Sequence, residues 1–115
     1  MGAMSDSGSD GPVEHAVIAR YRLTGGGFGL DTERAAIRRA RHSLAEAIEQ
    51  AGVGEFDGNE FGRGAVVLYA YGPDADALFA VMGDTLRGLP FRPAHVVLRY
   101  GSAADPAVVE HRVDL

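Results

Sequence analysis

The sequence contains no cysteine, and all 11 of its basic residues are arginine because lysine is absent as well. Without cysteine the chain has no disulfide, no thiolate nucleophile and no cysteine-ligated zinc or iron site. Without lysine it has neither Schiff-base chemistry nor the lysine of a P-loop. Because the serines also lie outside any nucleophile-elbow pattern, we expect a protein that is not an enzyme and that uses no cofactor.

The charge balance is acidic, and long hydrophobic runs are missing. Sixteen acids against the arginines give a formal net charge of -5, whereas sequence-independent nucleic-acid binders derive affinity from a positive surface. No apolar run approaches the roughly 20 residues that cross a bilayer, and the chain does not start with a signal-peptide pattern. We therefore expect a cytoplasmic protein with neither a membrane nor a nucleic-acid partner.

The first dozen residues differ in composition from the rest of the chain. Residues 1–12 are mainly glycine, serine and aspartate, so they are expected to form a disordered tail. Met4 indicates that residues 1–3 remain from cloning and that the natural start is Met4. Residues 13–115 are then expected to form a single domain, consistent with a composition that is 46% apolar.

Periodicity predicts the first strand and the first helix. Residues 13–23 alternate between two sets of side chains, as in a strand. Apolar residues then recur at spacings of three and four, which predicts a helix from Asp31 or Thr32 to Ala51. We expect one of those two side chains to cap the helix and Gly52 to end it.

The second half of the chain repeats this alternation of strands and helix. Residues 53–72 read as two strands joined by a turn, and a second helix is predicted to open at Pro73 and to end near Gly88. A fourth strand follows from Pro93, and the last residues are expected to add a short fifth strand or a docked tail. The order β-α-β-β-α-β predicts a ferredoxin-like α+β sandwich, in which two helices cover one face of a four-stranded antiparallel sheet of order 4-1-3-2.

In that architecture the other sheet face has no helix on it. Alternation places there the apolar residues Ile18, Val67 and Val97, together with charged residues and tyrosines. Acidic Glu55 and Asp57 are expected at the far side, on the second strand. The residues predicted to bind a partner on this face are Arg20, Arg22, Tyr69, Tyr71, His95 and Arg99.

A large mixed patch of this kind usually marks an interaction surface. The first hypothesis is a homodimer in which the basic side of each face meets the acidic side of the other. A second is capture of another protein, as by an antitoxin or an immunity-type neutraliser. Alternatively, the segment from Ala107 folds over the face. Stacking of RNA bases on the tyrosines is disfavoured because the characteristic motif is missing and the net charge is negative.

A glycine-rich connection precedes the first helix and suggests another kind of site. Gly25, Gly26 and Gly27 would present backbone amides close to a helix N-terminus, and Arg34 and Arg38 follow on the helix. The sequence is therefore also compatible with a sensor of a small anion or amino acid, although the glycine spacing matches no nucleotide motif.

Two further kinds of site have weaker support. The four histidines lack close metal-ligand spacing, and residues 57–60 lack the ligand series of an EF-hand, so no metal is expected. The last hypothesis is a cofactor-independent enzyme, for which His95, Tyr69 and Arg99 are the candidate reactive residues.

Overall fold

The computed structural model describes residues 14–115; the predicted tail and the proposed start at Met4 lie outside this range. Its elements are β1 (His15–Arg22), α1 (Asp31–Ala51), β2 (Glu55–Gly62), β3 (Ala65–Gly72), α2 (Ala75–Gly88), β4 (Ala94–Arg99) and β5 (Glu110–Asp114). The protein is thus α+β, with two helices and an open antiparallel sheet of five strands.

The sheet has the order β2-β3-β1-β4-β5, and all four neighbouring pairs are antiparallel. It has one strand more than the expected four-stranded sheet because the C-terminal segment forms a short fifth strand, one of the two predictions made for it, along the outer edge of β4. Arg112 lies opposite Val97, and Val113 opposite Val96. The alternative in which this segment folds over the uncovered sheet face is therefore wrong: it widens the sheet instead.

The core lies between the helices and one sheet face. Val17, Ala19 and Tyr21 of β1 alternate toward it, as the sequence predicted. The apolar stripes of both helices pack against them, with Ile37, Leu44 and Ile48 from α1 and Leu78, Met82 and Leu86 from α2. Burying one stripe per helix against one sheet face leaves the opposite sheet face without a helix.

The helix ends were predicted only in part. Gly52 ends α1 in the left-handed conformation at φ 66°, as expected. However, Leu30 occupies the N-cap position of α1 without a side-chain hydrogen bond, so the predicted caps Asp31 and Thr32 are wrong. The N–H group of Leu30 donates instead to the Glu33 carboxylate, which is described below.

The start of α2 also differs from the prediction. Pro73 precedes the helix and is not its first residue, because the N-cap is Asp74. One Asp74 carboxylate oxygen accepts hydrogen bonds from the N–H groups of Asp76 and Ala77, at 3.0 and 3.3 Å. A side-chain cap of this kind satisfies helix donors that have no backbone acceptor.

Candidate functional site

We call the sheet face opposite the helices the open face. Cross-strand pairing arranges its side chains in rows. One row joins Tyr71, Ala16 and Arg99, the next joins Tyr69, Ile18 and Val97, and a third joins Val67, Arg20 and His95. Arg22 follows at the end of β1. All six residues predicted for this face therefore lie on it, although they are spread over its whole length.

The middle of the open face is aromatic and aliphatic. Ile18, Val67, Tyr69, Tyr71 and Val97 are all half-buried by their neighbours on the sheet. The Tyr69 hydroxyl donates a 2.7 Å hydrogen bond to a carboxylate oxygen of Glu60 on β2. This bond raises the pKa of Tyr69 above its usual value.

A β-bulge in β2 changes the pattern of acids on the open face. The register shifts between Phe56 and Gly58, so Asp57 has no partner residue on β3. Asp57 nevertheless lines a shallow groove beside Tyr69 and Tyr71. Beyond the bulge, Glu60 pairs with Val67, so the face carries Glu60 in addition to Glu55, because one extra residue inverts the alternation that follows it.

The charge distribution across the open face also differs from the predicted gradient. Strand β5 brings Glu110, Arg112 and Asp114 onto the same face, opposite Arg99, Val97 and His95 of β4. Both edges of the sheet therefore carry acids. On the strands between these two edges, the arginines lie mainly toward the end of β1.

At that end, four arginines from three chain segments surround a cleft of about 630 Å³, which we call the arginine cleft. Its titratable lining residues are Arg20, Arg22, Arg92, His95, Arg112 and Asp114. Of these, Arg20, Arg22 and His95 were predicted on the face from the sequence, whereas Arg92 and Arg112 were not. Arg112 could have been predicted only from the alternation of residues 110–114, and only by assuming that this segment forms a strand beside β4.

The arginines of the cleft differ in what they contact. Arg92 donates to the carbonyl oxygens of Leu89, Phe91 and Arg87 at 2.6, 2.8 and 3.2 Å, which caps the end of α2. Arg112 pairs with Asp114 at 3.0 Å, with both side chains exposed. Within residues 14–115, the side chains of Arg20 and Arg22 make no hydrogen bond or salt bridge. The guanidinium groups of these two residues are thus available to a ligand.

His95 lies beside these arginines, and its pKa is lowered below the ordinary value. Partial burial is the larger cause, and the positive charges of Arg112 and Arg20 add to it, while Asp114 acts in the opposite direction. At neutral pH the imidazole is therefore uncharged. Arg99 lies at the other end of the face, where its Nε donates to the carbonyl oxygen of Gly101 at 2.8 Å.

The glycine-rich loop, by contrast, already holds an anion from its own chain. The Glu33 carboxylate accepts hydrogen bonds from the N–H and the hydroxyl of Thr24 at 2.8 and 2.9 Å, and from the N–H groups of Gly25 and Leu30 at 3.2 and 2.9 Å. These bonds lower the pKa of Glu33 to about 2. Of the three glycine amides predicted to bind a small anion here, the Gly25 N–H is thus occupied by a buried side chain.

The rest of the loop is held by backbone contacts. The Gly26 carbonyl accepts from Gly29, and the Gly27 carbonyl accepts from Gly64 in the β2–β3 turn, at 3.0 and 2.8 Å. Arg34 donates to the Gly29 carbonyl at 2.7 Å and also pairs with Asp31. Arg34 thus joins the start of α1 to this loop and does not point to a free ligand space.

Arg38 does not join the predicted glycine-loop site. It lines a shallower groove of about 450 Å³ between α1 and β2, together with Arg41, His42 and Asp57. The structure thus separates Arg38 from Gly25, Gly26, Gly27 and Arg34, with which it was predicted to form one site.

The remaining histidine and carboxylate positions do not form a reactive cluster. Within residues 14–115, no three metal-ligating side chains approach closely enough to hold a metal ion. His15 Nδ1 accepts the N–H of Ala75 at 3.1 Å, which gives it a structural role at the start of α2. His95, Tyr69 and Arg99 lie in three different rows of the open face.

Comparison with protein-family models, with curated proteins and with solved structures finds no match. Neither helix of the described chain has the length and apolarity needed to span a bilayer. The fold and the open face are therefore the observations from which a function can be argued.

Proposed function

We propose that this protein is a non-enzymatic binding domain whose open face associates with the open face of a second copy. The observation that carries the proposal is the charge layout of that face. Unpaired Arg20 and Arg22 extend along β1, and Glu55 and Glu60 lie two strands away on β2. The apolar and aromatic side chains between them are half-buried and face away from the core. They supply the desolvated centre that an interface needs.

We also propose that the core is of the ferredoxin-like class. If β5 is set aside as an extension, the other strands have the order β4-β1-β3-β2, with one helix following β1 and one following β3. This order and these connections support the assignment. Folds of this class serve many functions, so the class by itself says nothing about the partner.

The charges favour one way of stacking two such faces. If the strands of two copies ran nearly parallel about a twofold axis along β1, Arg20 would meet Arg20, and Glu60 of β2 would meet Asp114 of β5. Like charges brought together in an interface disfavour binding. Sheets also pack with their strands crossed at about 90°. The crossed arrangement avoids both clashes.

In the crossed arrangement, the direction along the strands of one copy coincides with the direction across the strands of the other. Arg20 lies about 7 Å from Ile18 along β1. Tyr69 lies one strand away, about 5 Å across the sheet in the row of Ile18, and Glu60 lies two strands away, about 10 Å across the sheet in the row of Arg20. Arg20 of each copy is thus placed over the tyrosine–glutamate pair of the other. Arginine both stacks on aromatic rings and pairs with carboxylates.

A charge-swap experiment tests this arrangement. Sedimentation equilibrium of the full chain should give a dimer, and Arg20→Glu and Glu60→Arg should each weaken association by about tenfold or more. The combined variant should recover most of the loss, because the opposite charges again face each other. Arg39→Glu, on an exposed position of α1, makes the same charge change away from the face and should leave association unchanged.

Two results would overturn the proposal. One is a wild-type chain that stays monomeric at every concentration examined, which would direct attention to a different protein as the partner. The other is a combined variant that associates no better than the single variants, because then Arg20 and Glu60 do not meet across the interface.

A further inference from the structure

We propose that the arginine cleft binds a small molecule carrying a phosphate monoester. This inference goes beyond the proposed self-association, since it concerns a cavity at one end of the open face rather than the face as a whole. It rests on the convergence of four arginines from β1, the α2–β4 connection and β5 upon one space of about 630 Å³.

The charge of the cleft favours an anion of more than one negative charge. Arg20, Arg22, Arg92 and Arg112 line it, against the single acidic side chain of Asp114, which is already paired with Arg112. A protein with a net charge of -5 thus gathers four of its 11 cations in one cavity. A planar guanidinium donates two parallel hydrogen bonds to phosphate oxygens, a geometry that several arginines around one anion can satisfy together.

His95 adds a neutral donor to this set. The groups that face it are Arg20 from β1 and Arg112 and Asp114 from β5. An uncharged imidazole can donate one ring N–H to a phosphate oxygen, and the negative charge of a bound phosphate would stabilise its protonated form. Binding is therefore expected to raise the pKa of His95 toward or above its ordinary value.

The size and lining of the cleft indicate what the phosphate is attached to. Its volume lies in the range of small-molecule sites and exceeds what phosphate alone would fill. The uncharged lining residues are Ala65, Pro93, Ala94 and Leu115, and the only aromatic ring in the lining is the imidazole of His95. A compact aliphatic or sugar-like group fits these surroundings better than a nucleobase, which is usually stacked on aromatic rings.

The cleft differs in this respect from the glycine-rich loop. There, Glu33 accepts the N–H groups of Thr24, Gly25 and Leu30 from within the chain. In the cleft, the only acidic side chain of the lining faces four guanidinium groups, and two of these have no partner in the described part of the chain.

The test uses the full chain with inorganic phosphate and glycerol 3-phosphate as probes, and with unphosphorylated glycerol as the matched control. Isothermal titration calorimetry should show saturable binding of the two phosphates and none of glycerol, and NMR should show the His95 pKa rising when either phosphate is bound. Arg112→Gln should weaken binding by about tenfold, the loss of one charged hydrogen bond. Asp114→Asn, which removes the only acidic side chain of the lining, should strengthen it.

Two controls separate this site from general electrostatics and from the proposed dimer. Arg39→Gln on α1 should leave phosphate binding unchanged; an equal loss there would overturn the proposal, as would absence of saturable binding. Binding of a single-stranded oligonucleotide but of neither small phosphate would also overturn it. Tyr69 lies outside the cleft lining, so Tyr69→Ala should weaken self-association and spare phosphate binding.

Discussion

The hydrogen bond of the buried Tyr21 hydroxyl allows a quantitative prediction of how much it contributes to the stability of the folded protein. Tyr21 is fully buried, and its hydroxyl donates a 2.7 Å hydrogen bond to the carbonyl oxygen of Leu86 in the last turn of α2. In a continuing helix that carbonyl would accept the N–H four residues later. The residue there is Pro90, which has no N–H. Tyr21 therefore supplies the donor that the local sequence lacks.

Replacing Tyr21 with phenylalanine removes this donor and little else. The ring should keep its packing in the core, including its edge-to-face contact with Phe91 at 6.4 Å between centroids. The Leu86 carbonyl would then be a buried acceptor without a partner, which costs about 1–3 kcal/mol. For a domain of this size, a loss near 2 kcal/mol lowers the melting temperature by roughly 10 °C.

Urea unfolding followed by far-UV circular dichroism measures this loss directly. The midpoint should fall while the slope stays constant, because the surface exposed on unfolding does not change. Tyr69→Phe is the matched control, since it removes a hydroxyl bonded to Glu60 on the exposed side of the sheet. We expect it to change stability by no more than about 0.5 kcal/mol. If the two variants lose the same stability, Tyr21 does not complete the end of α2.

The same residue gives a pH dependence of known sign. Burial raises the pKa of Tyr21 above the usual value of 10.0, so the neutral form is favoured in the folded state. Its contribution is present in full below pH 10 and is lost as the pH rises further, because the unfolded chain ionises first. The stability difference between wild type and Tyr21→Phe should therefore narrow above pH 10.

Two other predictions concern the loop and the sheet. Hydrogen bonds from the glycine-rich loop hold the pKa of Glu33 at about 2, against an ordinary 4.5. Its contribution to stability should therefore be complete above pH 4.5 and be lost as the pH falls toward 2. The melting temperature of Glu33→Gln should accordingly fall less than that of the wild type as the pH is lowered through this range. A Cβ at Gly72 would collide with the backbone carbonyl of Val53, whereas one at Gly62 meets open space. In urea unfolding, Gly72→Ala should therefore lower the free energy of unfolding by about 2 kcal/mol or more. If it lowers that free energy no more than Gly62→Ala does, β3 does not pack against the connection between α1 and β2.

The element pattern was predictable because it depends on spacing along the chain. Alternation identified β1, β3 and β4, and recurrence every three to four residues identified both helices. The prediction failed where one residue changes the count. The bulge after Phe56 moves Asp57 out of the alternation and brings Glu60 to the open face. The residue types around Phe56 did not predict this bulge.

The glycine-rich loop shows a different limit. One of its predicted amide donors, Gly25, does bind an anionic group, but that group is the carboxylate of Glu33 in the first turn of α1. Whether a side chain or an external ligand fills such donors depends on how the loop folds back on the helix, which residue types alone do not specify.

Outside the bulged strand β2, residue spacing was enough to predict which side chains face the core, because burial imposes a period of two on strands and 3.6 on helices. The absence of cysteine and lysine also excludes thiol and lysine chemistry from the sequence alone. Which exposed residues meet, however, depends on the tertiary structure. Arg112 joins Arg20 and Arg22 because β5 pairs beside β4, and Arg92 joins them because it folds over the end of α2. Such contacts join residues distant along the chain, so no periodicity within one segment encodes them.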